Sequence, residues 1–177
     1  NVLTMLVALV GLIFYVGVYT LWSKRTTIYG TITGGVAGAI PPVVGYAAVT
    51  NHFDAGAWIL FAILFCWQIP HFYAIAIFRQ SDYHAADIPV LPVKKGMLYT
   101  KINMLLYTIA FTLAAVLPTV FGFEGFTYLV IALSLSLAWL WLAITGFKAK
   151  DDTRWAKEMF VFSILIITAL SFAMAIK

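Results

Sequence analysis

The sequence predicts an all-α, polytopic transmembrane helical bundle, and two observations predict this class. Of the 177 residues, 63% are hydrophobic and only 10% are charged, and the mean hydropathy is +0.98. A soluble domain carries roughly 25% charged residues, so this chain has too little polar surface for a water-soluble globule. The apolar residues also form unbroken runs, unlike the alternating strands of a membrane β-barrel.

Six apolar runs approach the length of a membrane helix, which needs about 20 residues to cross the hydrocarbon core. No long repeat, low-complexity tract or soluble linker separates them, so we predict a single domain over residues 1–177. The predicted spans are Val2–Trp22, Gly30–Asn51, Ala55–Phe78, Leu98–Phe121, Gly125–Phe147 and Ala156–Ile176.

The second span combines small residues with prolines. Gly30, Gly34 and Gly38 recur at four-residue spacing and give the helix one smooth face, which lets membrane helices approach closely. Pro41 and Pro42 remove backbone donors, so we predict a kink or break in mid-membrane. Two interpretations stay open: a packing helix with a harmless kink, or a helix bent to open a cavity.

Charge in the loops predicts the orientation of the chain. The first, third and fifth loops, with their immediate flanks, hold every lysine and arginine except Lys177, whereas the second and fourth loops hold only Asp54 and Glu124. By the positive-inside rule, the first, third and fifth loops face the cytoplasm. The pI of 9.2 reflects this bias and is no argument for a nucleic-acid partner. The lone Cys66 lies within a span, which excludes a disulfide framework.

The third loop, residues 79–97, concentrates the charge. Asp82 and Asp87 are five residues apart and would diverge by roughly 140° on one straight helix, so they meet a common ligand only if the segment is partly unwound. Carboxylates without Cys or flanking His ligands favour Mg²⁺, which commonly bridges one or two carboxylates to substrate phosphates. The alternative interpretation is a solvated surface loop.

A tyrosine and a basic pair lie at the end of the first span, on the same predicted side as Asp82. Lys24 and Arg25 could neutralise a diphosphate, Arg by its planar fork and Lys as a point charge. The alternative is that both charges only set the topology. The combination of basic pair, acidic loop and glycine-proline helix is more specific than any one part.

Three stretches of the chain resemble the haem O synthases, the protohaem IX farnesyltransferase branch of the UbiA-type intramembrane prenyltransferase superfamily. These are Tyr19–Arg25, the run from Tyr29 to Tyr46, and WQIPHFYAIAIFRQSDYHAADIPVLPV at residues 67–93. The resemblance extends across essentially all residues and is closest to the proteobacterial members. It implies nine transmembrane helices around a central cavity, of which this chain corresponds to the last six. A first acid-rich loop would precede Asn1, so these residues alone are predicted to be inactive.

The resemblance also implies an activity. The family transfers the farnesyl group of farnesyl diphosphate to the vinyl group of haem B, and water completes the hydroxyethylfarnesyl side chain of haem O, which serves terminal oxidases. The implied cofactor is Mg²⁺. The implied setting is the bacterial inner membrane, with the lipid bilayer and the terminal-oxidase assembly machinery as partners.

Site residues follow from the same resemblance. Asp82 and Asp87 match the second acid-rich loop and would hold Mg²⁺ through the diphosphate, although the superfamily usually spaces these acids four apart. Asp82, Lys24 and Tyr19 are the predicted catalytic residues. The predicted substrate-binding residues are Arg25, Arg79, His71, Tyr83 and Lys94.

His71 admits three interpretations within an apolar span: a hydrogen-bonded core residue, a residue that orients haem, or an axial ligand to the iron. Asp151 and Asp152 imitate an acidic metal motif, but the adjacent Lys150 and Arg154 predict a neutralised surface turn.

Two other functions remain as alternatives. One is a UbiA-type enzyme that prenylates a quinone precursor or a chlorophyll-type ring, against which the extended stretch from PHF at residues 70–72 to DYHAADIPVLPV at residues 82–93 argues. The other is a membrane transporter, since broken helices also mark transport sites. A transporter predicts ionisable residues deep within the spans, whereas nearly every charge here lies at the edge of a span.

Overall fold

The computed structural model describes residues 1–176. All regular secondary structure in this range is helical. The structure contains six helices that are long and apolar enough to cross a membrane, so the predicted polytopic helical class is confirmed. These helices are α1 (Val2–Thr26), α2 (Gly30–Thr50), α3 (Ala55–Phe78), α4 (Met97–Val120), α5 (Phe126–Lys148) and α6 (Asp152–Ala175). Two short helices, Gln80–Ala85 and Leu91–Lys94, lie in the loop between α3 and α4.

Aspartates fix the first turns of two spans. Asp54 accepts a hydrogen bond from the Gly56 amide at 2.9 Å, and Asp151 accepts from the amides of Thr153 and Arg154. Because Asp151 caps it, α6 begins at Asp152, four residues before the predicted Ala156. The pKa of Asp54 is lowered below its usual value because the Tyr46 hydroxyl donates a hydrogen bond to the carboxylate at 2.8 Å.

The helix α3 is at the centre of the bundle and packs against α2, α4 and α6, while α5 packs between α4 and α6. The core between α3, α4, α5 and α6 contains large aromatic side chains. Trp139 on α5 meets Phe111 on α4 edge to face, with ring centroids 5.4 Å apart, and both are fully buried. The Trp139 indole N–H also donates to the Met159 carbonyl of α6 at 3.3 Å.

The helices α1 and α2 form a second layer beside α3. The helix α1 packs chiefly along α2, and its only buried residues are Gly11 and Ser23. Many of its large apolar side chains are exposed, for example Leu6 and Val10. Such an apolar exterior fits a lipid environment.

The helix α2 is broken in the middle, as its prolines predict. Its halves are Gly30–Gly38 and Ile40–Thr50, with Ala39 at the junction. Pro41 and Pro42 fall in the first turn of the second half, where missing backbone donors cost least.

One charged pair ties α4 to α6. The Lys101 ammonium contacts the Asp152 carboxylate, and only 9% of the Lys101 side chain is exposed. Arg154 pairs instead with Glu158. The predicted neutralisation of Asp152 by its sequence neighbours is therefore wrong, because the cation that pairs with it comes from another helix.

Candidate functional site

A cavity of about 940 Å³ lies between α1, α2 and α3, and the loop that follows α3 lines one end. This volume is at the upper end of the range for ligand pockets. The interior is mostly apolar, with Leu12 from α1, Ile40, Pro41 and Val44 from α2, and Phe72 from α3. The cavity suits an elongated apolar ligand.

The end of the cavity nearest the first and third loops is polar. Tyr15, Tyr19 and Lys24 of α1 line it together with Tyr83 of the third loop. The Lys24 Nζ atom lies 6.0 Å from the centre of the Tyr19 ring, and the Tyr15 and Tyr19 rings are 5.8 Å apart. Among the described residues, Lys24 is the one cation lining the cavity, so this end can accept a negatively charged group.

An unusual backbone presents these tyrosines. The segment Phe14–Ser23 of α1 is π-helical. Its hydrogen bonds run from residue i to i+5, which adds residues to each turn, and π segments are frequent at functional sites. The wider turn keeps Tyr15 and Tyr19 near one face of α1, the face toward the cavity.

Glycines on α2 make room for side chains from both neighbouring helices. A Cβ atom at Gly34 would lie 2.9 Å from the Tyr19 ring, and one at Gly38 would lie 2.1 Å from the Gln68 Oε1 atom. The predicted smooth face of α2 is therefore in contact with α1 and α3. Because the second half of α2 also lines the cavity, the helix serves both as a packing helix and as a bent cavity wall.

The two acids of the third loop lie on either side of the end of a short helix. Asp82 is on the short helix Gln80–Ala85, and Asp87 follows it with a left-handed φ of 50°. The segment is thus unwound between the acids, as a shared ligand requires. The Asp82 Oδ2 atom lies 3.3 Å from the Arg79 Nη1 atom, and both side chains are more than 60% exposed.

The carboxylates of this loop fit Mg²⁺ only if a bound ligand supplies further oxygen atoms to the ion. Residues 1–176 contain no group of three or more His, Cys, Asp or Glu side chains arranged to hold a metal. Magnesium is commonly held by one or two carboxylates plus substrate phosphates and water. Asp82 and Asp87 therefore fit a magnesium ion that arrives with a phosphorylated ligand.

The structure separates the predicted site residues into two sets. Tyr19, Lys24 and Tyr83 line the cavity. A second set is solvent-exposed in the two loops beside its polar end and does not line it: Arg25, Arg79, Asp82, Asp87 and Lys94.

His71 faces α6 rather than the cavity. Its Nδ1 atom lies 2.7 Å from the Ser163 hydroxyl, and its ring stacks between Trp67 and Phe160 with centroid distances of 4.7 and 4.8 Å. This environment agrees with the interpretation of a hydrogen-bonded core residue. The predicted contact between His71 and substrate gains no support from the lining of the cavity.

Two of the cavity residues that the sequence did not single out, Tyr15 and Gln68, are polar and lie beside the predicted site. Tyr15 lies about one turn before Tyr19, and only the four-residue spacing of the two tyrosines could have pointed to it. Gln68 is 5% exposed and lines the cavity, and its Nε2 atom has no hydrogen-bond partner among the described residues. A lone amide within an otherwise apolar span was the signal that could have identified it.

These features define a class: an integral membrane protein whose helices line a mostly apolar cavity with one cationic, tyrosine-lined end. The chain belongs to the UbiA prenyltransferase family, whose profile matches residues 1–166. No solved structure gives a significant match.

Similar proteins occur in Yersinia, Serratia and Cronobacter. The chain is 52% identical to the protoheme IX farnesyltransferases of Yersinia pseudotuberculosis serotype O:1b (strain IP 31758), Serratia proteamaculans (strain 568) and Cronobacter sakazakii (strain ATCC BAA-894). Each match covers 99% of this chain and 60% of the relative. The chain thus spans about three fifths of the length of these relatives.

Proposed function

We propose that the protein is a prenyltransferase that joins the farnesyl group of farnesyl diphosphate to the vinyl group of haem B and thereby forms haem O. The cavity carries this proposal, because its polar end suits a diphosphate and its apolar interior suits a prenyl chain and a macrocycle. The names of relatives with 52% identity support the choice of substrates.

Charge develops on the diphosphate as its bond to the farnesyl carbon breaks. Lys24 stabilises that charge directly, and the Tyr19 and Tyr83 hydroxyls donate hydrogen bonds to phosphate oxygens. The exposed cations Arg25, Arg79 and Lys94 raise the local concentration of the anionic substrate at the mouth of the cavity.

Asp82 and Asp87 would hold Mg²⁺ at the polar end of the cavity. When bound, this ion neutralises charge on the diphosphate leaving group. The exposure of both carboxylates leaves them accessible to a metal that enters with the substrate.

The same proposal extends to location and partners. The protein resides in a bacterial inner membrane with its first, third and fifth loops in the cytoplasm, where water-soluble diphosphates are present. Haem O then passes to the terminal-oxidase assembly machinery.

Two alternatives make different demands on the cavity. A transporter requires ionisable groups along its path, but among residues 1–176 the charged lining is confined to Lys24 at one end. A quinone-precursor prenyltransferase shares the cavity chemistry and differs in product.

The decisive experiment is expression from the complete reading frame in a bacterium that lacks haem O synthesis, followed by haem extraction and mass spectrometry. We expect haem O to appear with the protein and to be absent with an empty vector. A prenylated quinone precursor without haem O would favour the alternative branch, and no prenylated product would contradict the proposal.

A further inference from the structure

An amide group on α3 is buried in the cavity wall without a partner. Gln68 is 5% exposed, and its Nε2 atom makes no hydrogen bond to any residue from 1 to 176. Buried polar groups are almost always hydrogen-bonded, and leaving one unpaired costs its full desolvation penalty. The Nε2 atom is closed off from the cavity, so the amide meets the cavity through its Oε1 atom, which also makes no hydrogen bond within residues 1–176. We expect the partner of this oxygen to come from whatever occupies the cavity.

The position of Gln68 relative to Tyr19 is fixed by α2. A Cβ atom at Gly34 would meet the Tyr19 ring, and a Cβ atom at Gly38 would meet the Gln68 amide. Four helical residues correspond to a rise of about 6 Å. The Gln68 amide therefore lies about one helical turn further into the cavity than the Tyr19 ring. With the diphosphate held at Tyr19 and Lys24, this is where the reacting carbons lie.

The surroundings of the amide are otherwise apolar. Phe72 lies about one turn after Gln68 on α3, Pro41 lies less than one turn after Gly38 on α2, and both line the cavity. A buried water molecule needs at least two polar partners. In the loaded cavity, the Gln68 amide and an oxygen of the diphosphate supply two, so a single water can be held between them.

We propose that Gln68 is the positioning residue for the water that completes the reaction, an inference that rests on the proposed farnesyl transfer. The bond between the farnesyl carbon and the diphosphate oxygen breaks, and its electron pair leaves with the diphosphate. The vinyl π pair forms the new carbon–carbon bond, which leaves a cation on the vinyl carbon next to the macrocycle.

Water then captures this cation. The water donates one hydrogen bond to the Gln68 Oε1 atom and the other to a diphosphate oxygen, which directs an oxygen lone pair at the cation. A carbon–oxygen bond forms, the water proton passes to the diphosphate, and no oxidant or reductant is needed. Without a positioned water, the cation loses a neighbouring proton and gives an alkene lighter by one water.

The test is the ratio of dehydrated to hydroxylated farnesyl haem, measured by mass spectrometry with protein expressed from the complete reading frame. In Gln68→Leu we expect about a tenfold rise in this ratio, equivalent to about 1.4 kcal/mol. Gln80→Leu is the matched control, because Gln80 lies outside the cavity and donates to the Pro92 carbonyl. It should keep the wild-type ratio.

Gly38→Ala is a second variant that displaces the Gln68 amide without removing it, and we expect it to raise the ratio as well. A wild-type ratio in folded Gln68→Leu would overturn the inference, as would complete loss of both products. If Gln68→Leu does not fold, the Gly38→Ala ratio decides. Failure of the proposed function is distinguishable, because the wild-type protein would then yield neither farnesyl haem, and the role of Gln68 would fall with it.

Discussion

At the scale of single residues, the polar end of the cavity is lined by Tyr15, Tyr19, Lys24 and Tyr83, and the amide of Gln68 lies deeper. Tyr19, Lys24 and Tyr83 were predicted and do line the cavity, because loop charges and their aromatic neighbours are visible in the sequence. Gln68 was missed because its significance depends on the absence of a partner, which only packing reveals. His71 was singled out for its residue type, but the rotation of α3 turns it toward Ser163.

The structure ranks the two neighbouring cations of the first loop. Lys24 lines the cavity, whereas Arg25 is exposed outside it. We expect Lys24→Ala to raise the KM for farnesyl diphosphate by roughly ten- to a hundredfold, since a hydrogen bond to a charged group is worth about 1.5–3 kcal/mol. Arg25→Ala should have a smaller effect. Steady-state kinetics with each substrate varied separately measures both.

The control for the Lys24 prediction is Lys150→Ala, which removes an exposed cation from the fifth loop. It should leave both KM values unchanged. An increase confined to the KM for haem in Lys24→Ala would contradict the placement of the diphosphate.

The acidic loop gives a second prediction at this scale. Asp82→Asn should abolish activity or raise the Mg²⁺ concentration needed for half-maximal activity by at least tenfold, because the amide is a weaker metal ligand. Asp87→Asn should be milder, since this residue departs from the usual spacing. Magnesium titration of the initial rate provides the measurement.

Glu158→Gln is the matched control for the carboxylates, because it removes an exposed acid from a surface pair on α6. A normal magnesium dependence in Asp82→Asn would remove the third loop from the metal site.

At the scale of elements, apolar length and proline chemistry made α1 to α6 and the break in α2 predictable from the sequence. The π-helical segment Phe14–Ser23 was not, because a shift in hydrogen-bond register within an apolar run leaves no mark on composition. The pairing of Lys101 with Asp152 was also invisible, since it joins residues 51 positions apart through the packing of α4 on α6.

The glycine contacts between α1 and α2 can be tested within one helix. Gly34→Ala brings a methyl group against the Tyr19 ring and should lower stability by about 1–3 kcal/mol through overpacking. It should also reduce the rate of farnesyl transfer by displacing Tyr19. Gly45→Ala on the same helix meets nothing within 4 Å and should keep both stability and rate. Equal stability and equal rates in the two variants would show that the close contact between Gly34 and the Tyr19 ring affects neither.

The buried pair between α4 and α6 should matter for stability but not for the site. Lys101→Met leaves Asp152 without its cation and should cost about 2–3 kcal/mol, less than a fully buried pair because 32% of the Asp152 side chain is exposed. Arg154→Ala breaks an exposed pair and should cost less than about 1 kcal/mol. Thermal unfolding in detergent compares them. A similar loss of stability in both variants would show that the buried Lys101–Asp152 pair stabilises the fold no more than the exposed Arg154–Glu158 pair does.

At the scale of the whole molecule, the arrangement predicts which ends of the helices face the cytoplasm. In a Cys66→Ala background, Ser81→Cys reports the third loop and His52→Cys the second, and both positions are exposed. With intact spheroplasts and a membrane-impermeant thiol reagent, we expect labelling of His52→Cys only. Labelling of Ser81→Cys alone would invert the topology and the proposed access of diphosphate from the cytoplasm.

Binding of farnesyl diphosphate in the cavity between α1, α2 and α3, with its prenyl chain pointing inward, underlies the proposed function. Its most direct test is photocrosslinking with a farnesyl diphosphate analogue that carries the photoreactive group at the far end of the chain, mapped by peptide mass spectrometry. We expect adducts on interior residues such as Leu12, Ile40 and Val44, and fewer of them in Lys24→Ala. Adducts confined to the separate groove on α6 around Ile167 and Phe172, unaffected by Lys24→Ala, would contradict it.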